Sequence, residues 1–174
     1  MLIWLTGLSG SGKTTLSNIL VKKFKKKNIN LISVDGDVIR ELFGNDLNHS
    51  LDHRKIQIDR IKKISKFLYS QDQNIIVSAL YSNNKILSNN RKIFKKYFEI
   101  YLRAPISVLL KRDIKNLYKP ALKNKIKNVV GVDIHWNEPK HSDLIIDQSK
   151  KIHPNVIANK VFKKLINDKN KFKF

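Results

Sequence analysis

The residues with the clearest chemistry are Gly7-Leu8-Ser9-Gly10-Ser11-Gly12-Lys13-Thr14, which fit the spacing G-x-x-x-x-G-K-[ST]. Glycines at 7, 10 and 12 let successive backbone N–H groups converge on one concavity. A helix beginning near Lys13 adds the positive end of its dipole, so a polyphosphate is held there. Lys13 then reaches the β- and γ-phosphates, and the Thr14 hydroxyl is a ligand for Mg²⁺. Ser9, Ser11 and Thr15 complete the expected cradle. A chance match in a glycine turn is the plainer reading, but the flanks argue against it. Residues 2–5 form a short apolar run, as a buried parallel strand does. Leu16, Ile19, Leu20 and Phe24 recur at helical spacing. The expected ligand is ATP or GTP with Mg²⁺.

A second constellation is Asp35-Gly36-Asp37-Val38-Ile39-Arg40. At the C-terminal edge of a strand, Asp35 faces the phosphate loop across the cleft. A carboxylate there holds Mg²⁺, or orients and deprotonates an attacking hydroxyl. Arg40, one turn into the next helix, is placed to clamp an anionic acceptor. The plainer reading is a strand–turn–helix corner with Asp37 as the helix N-cap.

Elements must position these groups. Strand candidates fall at 2–5, 30–34, 74–80, 98–102 and 143–147, separated by amphipathic stretches at 13–27, 51–72, 84–96, 105–115 and 154–167. This alternation predicts an α/β fold, a five-stranded parallel sheet flanked by helices, with strand C-termini gathered on one edge. The 174 residues suit one domain, 1–174. Segment 116–142 carries Pro120, Gly131 and Pro139 without a core pattern, and is expected to be a lid closing over the nucleotides. The tail, 169–174, is expected to fray.

Composition narrows the class. With no cysteine, the chain makes no disulfide, thiolate nucleophile or zinc–thiolate site. No stretch is long enough to span a bilayer, and a cytoplasmic enzyme is expected. The net charge of +21 comes largely from lysine, and Lys22-Lys23, Lys25-Lys26-Lys27 and Lys62-Lys63 fall between apolar helix positions, as a solvated face does. We read it as surface plus a basic nucleotide cleft, with no nucleic-acid partner, because no aromatic-interleaved basic motif is present.

Taken in order, 7–15, Asp35-Gly36-Asp37-x-x-Arg40 and Arg112-Asp113-x-Lys115-x-Leu117-Tyr118-Lys119-x-Ala121 resemble adenylylsulfate kinase. Gly131-Val132-Asp133 and Glu138-Pro139 resemble it too, in one register from Leu2 to about Asp147. The resemblance implies a P-loop kinase fold and transfer of the ATP γ-phosphoryl to a ribose 3′-hydroxyl. It makes Lys13, Asp35 and Asp37 catalytic, Thr14 and Asp35 the metal residues, and sets Arg112 beside the ATP adenine. Its acceptor contacts fall on Asp37, Arg40, Arg54, Gln57, Arg60, Ser78, Tyr81, Lys115 and Val130. Lys115 and Lys119, at i and i+4, are expected to share a helical face. A homodimer is implied as well.

Departures from the family pattern concentrate on the acceptor side. Where the family has Ser-Pro-Tyr/Phe-Arg, this chain has Tyr81-Ser82-Asn83-Asn84; its Phe-Thr-Gly-Ile is Val129-Val130-Gly131-Val132, and its Gly-Phe-Ser is Asn48-His49-Ser50. An Arg clamp and an aromatic platform worth about 1–3 kcal/mol per base are gone, while the donor residues persist. A changed acceptor is the economical explanation. Relatives that phosphorylate cytidine diphosphoramidate in bacterial capsule pathways fit it; adenylyl sulfate remains the alternative acceptor, and a nucleic-acid-binding P-loop protein the alternative class. His49, His53, Tyr81 and Asn84 are expected to shape the altered pocket, with Trp136 a substitute platform or a residue packed on its own loop.

Overall fold

The computed structural model describes residues 1–80, 83–113 and 115–167. Tyr81 and the tail 169–174 therefore lie outside the described residues. The strands are β1 (Leu2–Thr6), β2 (Ile32–Asp35), β3 (Ile75–Ala79), β4 (Tyr97–Arg103) and β5 (Leu144–Asp147). The helices are α1 (Lys13–Lys25), α2 (Gly36–Leu42), α3 (Leu51–Ser70), α4 (Asn84–Ile93), α5 (Ile106–Arg112), α6 (Tyr118–Leu122) and α7 (Pro154–Asn167).

All five strands are parallel, in the order β2-β3-β1-β4-β5. β1 and β3 are buried along their whole length, which explains why they read as apolar runs without alternation. On one face Ile3, Leu5, Ile76 and Ile100 pack against Leu16, Leu20 and Phe24 of α1 and Ile157, Val161 and Leu165 of α7. On the other, Leu2, Trp4, Ile75 and Val77 meet Ile58 and Ile61 of α3 and Leu87 of α4. This double covering fixes the sheet, so the C-terminal ends of β1, β2 and β3 stand side by side on one edge. No helix among the described residues is long and apolar enough to cross a membrane.

Two expectations are corrected here. Segment 116–142 has a core of its own: Tyr118, Ala121, Val129 and Val130 are buried against Leu8, Ala104 and Leu109. Its apolar residues come from one short helix and several turns, so no single period displays them. Aspartates supply the order instead. Asp113 accepts from the backbone N–H groups of Leu117, Tyr118 and Lys119, and Asp133 from those of Asn128 and Val129. Lys115 and Lys119 do not share a helical face either, because α5 ends at Arg112 and Asp113 takes a positive φ of 21°. Lys115 sits in the connection and Lys119 on α6.

Candidate active site

The site is a trough of three adjoining compartments along the sheet edge. The middle one is lined by Ser9, Gly10, Gly12, Lys13, Thr14, Thr15, Asp35, Asp37 and Ser78. It forms because β1 ends in a loop that only glycine permits at key points. At Gly7, with φ +149°, a Cβ would stand 2.6 Å from the Leu102 carbonyl oxygen and 2.8 Å from Ser11 Oγ. Gly12, the N-cap of α1, is left-handed at φ 94°. The first N–H groups of α1 are thereby turned toward the concavity.

Lys13 Nζ lies across this loop and donates to the carbonyl oxygens of Gly7 at 2.8 Å and Leu8 at 2.9 Å. Burial pushes its ammonium down to about 8, against the pull of the Asp37 and Asp35 charges, with Lys115 pushing the same way as burial. Thr14 Oγ1 donates to Asp35 Oδ2 at 2.8 Å. Asp35 Oδ1 accepts from the Asp37 N–H at 2.9 Å, so Asp35 rather than Asp37 is the N-cap of α2. That turn leaves the Asp37 carboxylate free to meet Lys115 Nζ across the cleft. Burial works against the Asp37 charge, but the Lys115 contact, with Lys13 and Arg40 near, holds its carboxyl below the usual range.

A second compartment adjoins through Gly10, Gly12 and Thr15. Its walls are Leu16, Leu102, Ile152, Pro154 and Ile157, with Arg112, Gln148 and Lys151 at the rim. Arg112 Nη2 donates to the Gln148 carbonyl oxygen at 3.1 Å, so its guanidinium stays on this pocket. Flat apolar walls with a few polar groups suit a heterocyclic base.

The third compartment adjoins at the other end through Ser9, Gly36, Asp37, Leu80 and Lys115. Arg40, His49, Arg54, Gln57, Ile58, Leu117, Lys127, Asn128 and Val129 line the rest. Two arginines build its walls. Arg40 donates to the Leu47 carbonyl at 2.6 Å and the Asn48 carbonyl at 3.2 Å, fixing the loop between α2 and α3. Arg54 donates to the carbonyl oxygens of His49 at 2.9 Å and Asn128 at 2.8 Å, joining that loop to the 116–142 segment. Gln57 reaches the Gly36 carbonyl at 2.9 Å. Burial, then the Arg40 and Arg54 charges, push the His49 imidazole down, which favours its neutral form.

Several expected acceptor residues stand elsewhere. Arg60 forms a two-pronged pair with Asp46, at 3.0 and 2.8 Å, over the Phe43 ring at 3.9 Å. Val130 is buried beside Val129 against Leu8, Ala104 and Leu109, and of the two Val129 alone also borders the compartment. Ser78 lies in the middle compartment, because its strand position pairs with Asp35. Asn84 accepts from the Lys140 N–H at 3.0 Å, which ties α4 to the end of the 116–142 segment rather than lining the pocket. His53 accepts from the Asn48 N–H. Trp136 donates to Tyr101 Oη at 3.3 Å and packs against the cluster of its own segment, so it is no platform for this trough. Conversely, Leu80, Lys127, Asn128, Gln148 and Lys151 line it without having been singled out from the sequence. The Tyr118 hydroxyl donates to the Ser9 carbonyl at 3.0 Å, anchoring α6 to the phosphate loop.

Comparison with known proteins places the chain's sequence and fold among nucleotide kinases. The family model described as adenylylsulphate kinase matches residues 1–147. A cytidine diphosphoramidate kinase of Campylobacter jejuni is 44% identical over 151 residues, covering 85% of this chain and 86% of that one. An adenylyl-sulfate kinase of Bacillus velezensis is 34% identical over 151 residues, covering 86% and 77%. Among solved structures, the Mycobacterium tuberculosis APS kinase in complex with AMPPNP and APS superposes with a TM-score of 0.85. It is 27% identical, with 95% of this chain and 96% of that one covered.

Proposed function

This chain belongs to the adenylylsulphate kinase family, and we propose that it transfers the γ-phosphoryl of ATP to the 3′-hydroxyl of cytidine diphosphoramidate. The ATP base occupies the Leu16–Arg112 compartment, its phosphates lie on the loop N–H groups, and the acceptor fills the Arg40–Val129 compartment. Lys13 bears on the transferring phosphoryl. Asp37, at the junction of phosphate and acceptor compartments, orients the 3′-hydroxyl and receives its proton. The O3′–Pγ bond forms as the bond from Pγ to the β-phosphate oxygen breaks, and ADP leaves. Asp35 caps α2 through the Asp37 N–H and shares the Thr14 hydroxyl at the metal end, whereas Asp37, paired with Lys115, stands at the junction with the acceptor compartment, which favours Asp37 over Asp35 for the proton.

Mg²⁺ fits this chain. Thr14 Oγ1 and Asp35 Oδ2 are hard oxygens 2.8 Å apart beside the phosphate concavity, and Mg²⁺ is held by one or two such groups with phosphates and waters. When bound, it neutralises charge on the β- and γ-phosphates. Thr14 and Asp35 are its protein ligands in this reading.

The acceptor assignment is carried by the lining of the third compartment. His49, Gln57, Asn128 and Val129 bring hydrogen-bonding groups and an aliphatic wall, with no Phe, Tyr or Trp among the described lining residues. A pyrimidine read by its polar edge suits such a pocket better than a purine sandwiched by stacking. The reaction belongs in the cytoplasm, where ATP is supplied. A homodimer is part of this reading on family resemblance, and light scattering checks it. The test of function is ³¹P NMR of the product after incubation with ATP, Mg²⁺ and cytidine diphosphoramidate. A new phosphomonoester coupled to H3′ supports the reading; unchanged acceptor, with adenylyl sulfate converted instead, makes the chain an adenylyl-sulfate kinase.

A further inference from the structure

Ser78 is 3% exposed, and its hydroxyl is a buried polar atom without a hydrogen-bond partner. Such a group costs about 1–3 kcal/mol unless something satisfies it, so its orientation matters. Val77 and Ala79 face the cluster with α3 and α4, while Ile76 faces α1. Side chains alternate along a strand, so Ser78 shares the α1 face with Ile76. There it lines the same compartment as Thr14 and Asp35. The register places it directly opposite Asp35 on β2 and Leu5 on β1, immediately before the phosphate loop. Three oxygen-bearing side chains from α1, β2 and β3 thus converge at one end of the concavity. Two of them, Thr14 and Asp35, already touch.

We propose that Ser78 is the third arm of the magnesium site, its hydroxyl holding a water bound to the metal that Thr14 and Asp35 hold. This rests on the metal reading given above and extends it. The reasons are chemical. Mg²⁺ keeps several waters when it binds protein, and those waters need partners of their own. A serine hydroxyl both donates and accepts, is short enough to leave room for one water, and carries no charge to offset that of the phosphates. Ser78 acts through the water and is therefore a positioning residue. It also leaves the acceptor contacts, where the sequence resemblance had set it, to the groups of the third compartment.

The experiment is a Mn²⁺ titration of the protein–ADP complex, followed by electron paramagnetic resonance, with metal-free ADP affinity measured in parallel. Ser78→Ala and the near-isosteric Ser78→Cys are expected to weaken Mn²⁺ about tenfold, as loss of an outer-shell partner does, and to leave metal-free ADP affinity within about twofold. Unchanged Mn²⁺ affinity in both variants overturns the proposal. So does an equal loss of metal-free ADP binding, which would make Ser78 a packing residue. Thr14→Ala and Asp35→Ala serve as controls: if neither weakens Mn²⁺, the underlying metal reading fails, whatever Ser78 does.

Discussion

The two ends of the trough are built on different principles. The donor end rests on backbone: a glycine loop closed by Leu102, the first turn of α1, and the rigid strands β1 and β4 behind it. The acceptor end rests on side chains that reach across gaps, with Arg40 and Arg54 holding loop carbonyls and Asp133 tying the 128–129 turn. A backbone cradle accepts any polyphosphate and tolerates little change. A pocket of side chains and loops can be relined while the loops stay tethered. In the function proposed above, the phosphate chemistry is fixed by the first kind of construction and the acceptor by the second.

The strongest challenge to that contrast is at Lys13. Lys13→Ala is expected to lower kcat by on the order of 10³-fold with either acceptor, and circular dichroism and thermal unfolding should show a folded protein. Loss with one acceptor alone would break the separation. The acceptor end should respond differently. His49→Phe returns an aromatic face to the pocket, and stacking of about 1–3 kcal/mol should raise the kcat/KM ratio of adenylyl sulfate over cytidine diphosphoramidate roughly 30-fold. The KM for ATP should stay put. Arg54→Ala, which unties His49 from Asn128, should raise the acceptor KM about fivefold. ATP binding measured by calorimetry without acceptor should be unchanged.

The smallest effect concerns protons. Burial holds Lys13 at about 8 against an ordinary 10.5. A bound polyphosphate favours its charged form, so nucleotide binding at pH 8 should take up roughly half a proton. Calorimetry in buffers of different ionisation enthalpy reads this, and the uptake should vanish in Lys13→Ala. For folding the sign is opposite. Between about pH 8 and 10.5 the unfolded chain binds the lysine proton and the folded chain does not. This group's contribution to stability is therefore fully present above pH 10.5 and lost as pH falls through about 8.

Much of the donor end was legible because its signals are local. Gly7 to Thr14, the strand before it and the helix after it occupy one continuous stretch, and each residue type has one physical reason. Asp35 was legible for the same reason, sitting at the end of an apolar strand. The acceptor end depends on contacts that span long sequence separations. Nothing in the spacing of Arg54 reveals that it will meet the Asn128 carbonyl, and nothing near Arg60 reveals Asp46 and Phe43 as its resting partners. Val129 and Val130 are adjacent and both buried in one cluster, yet of the two Val129 alone also borders the compartment. Backbone direction in an irregular turn decides that, and the turn is set by Asp133. Gln148 and Lys151 escaped notice because they follow β5 in a loop without a motif, and only the sheet order brings that loop to the base pocket.

The central claim is that donor chemistry has been kept while the acceptor has changed. The most direct test is a competition in which the protein is given ATP, Mg²⁺ and equal amounts of cytidine diphosphoramidate and adenylyl sulfate, and the two 3′-phosphorylated products are separated and counted. The cytidine product should dominate by at least about tenfold, the discrimination that about 1.4 kcal/mol supplies. An excess of 3′-phosphoadenylyl sulfate would contradict it.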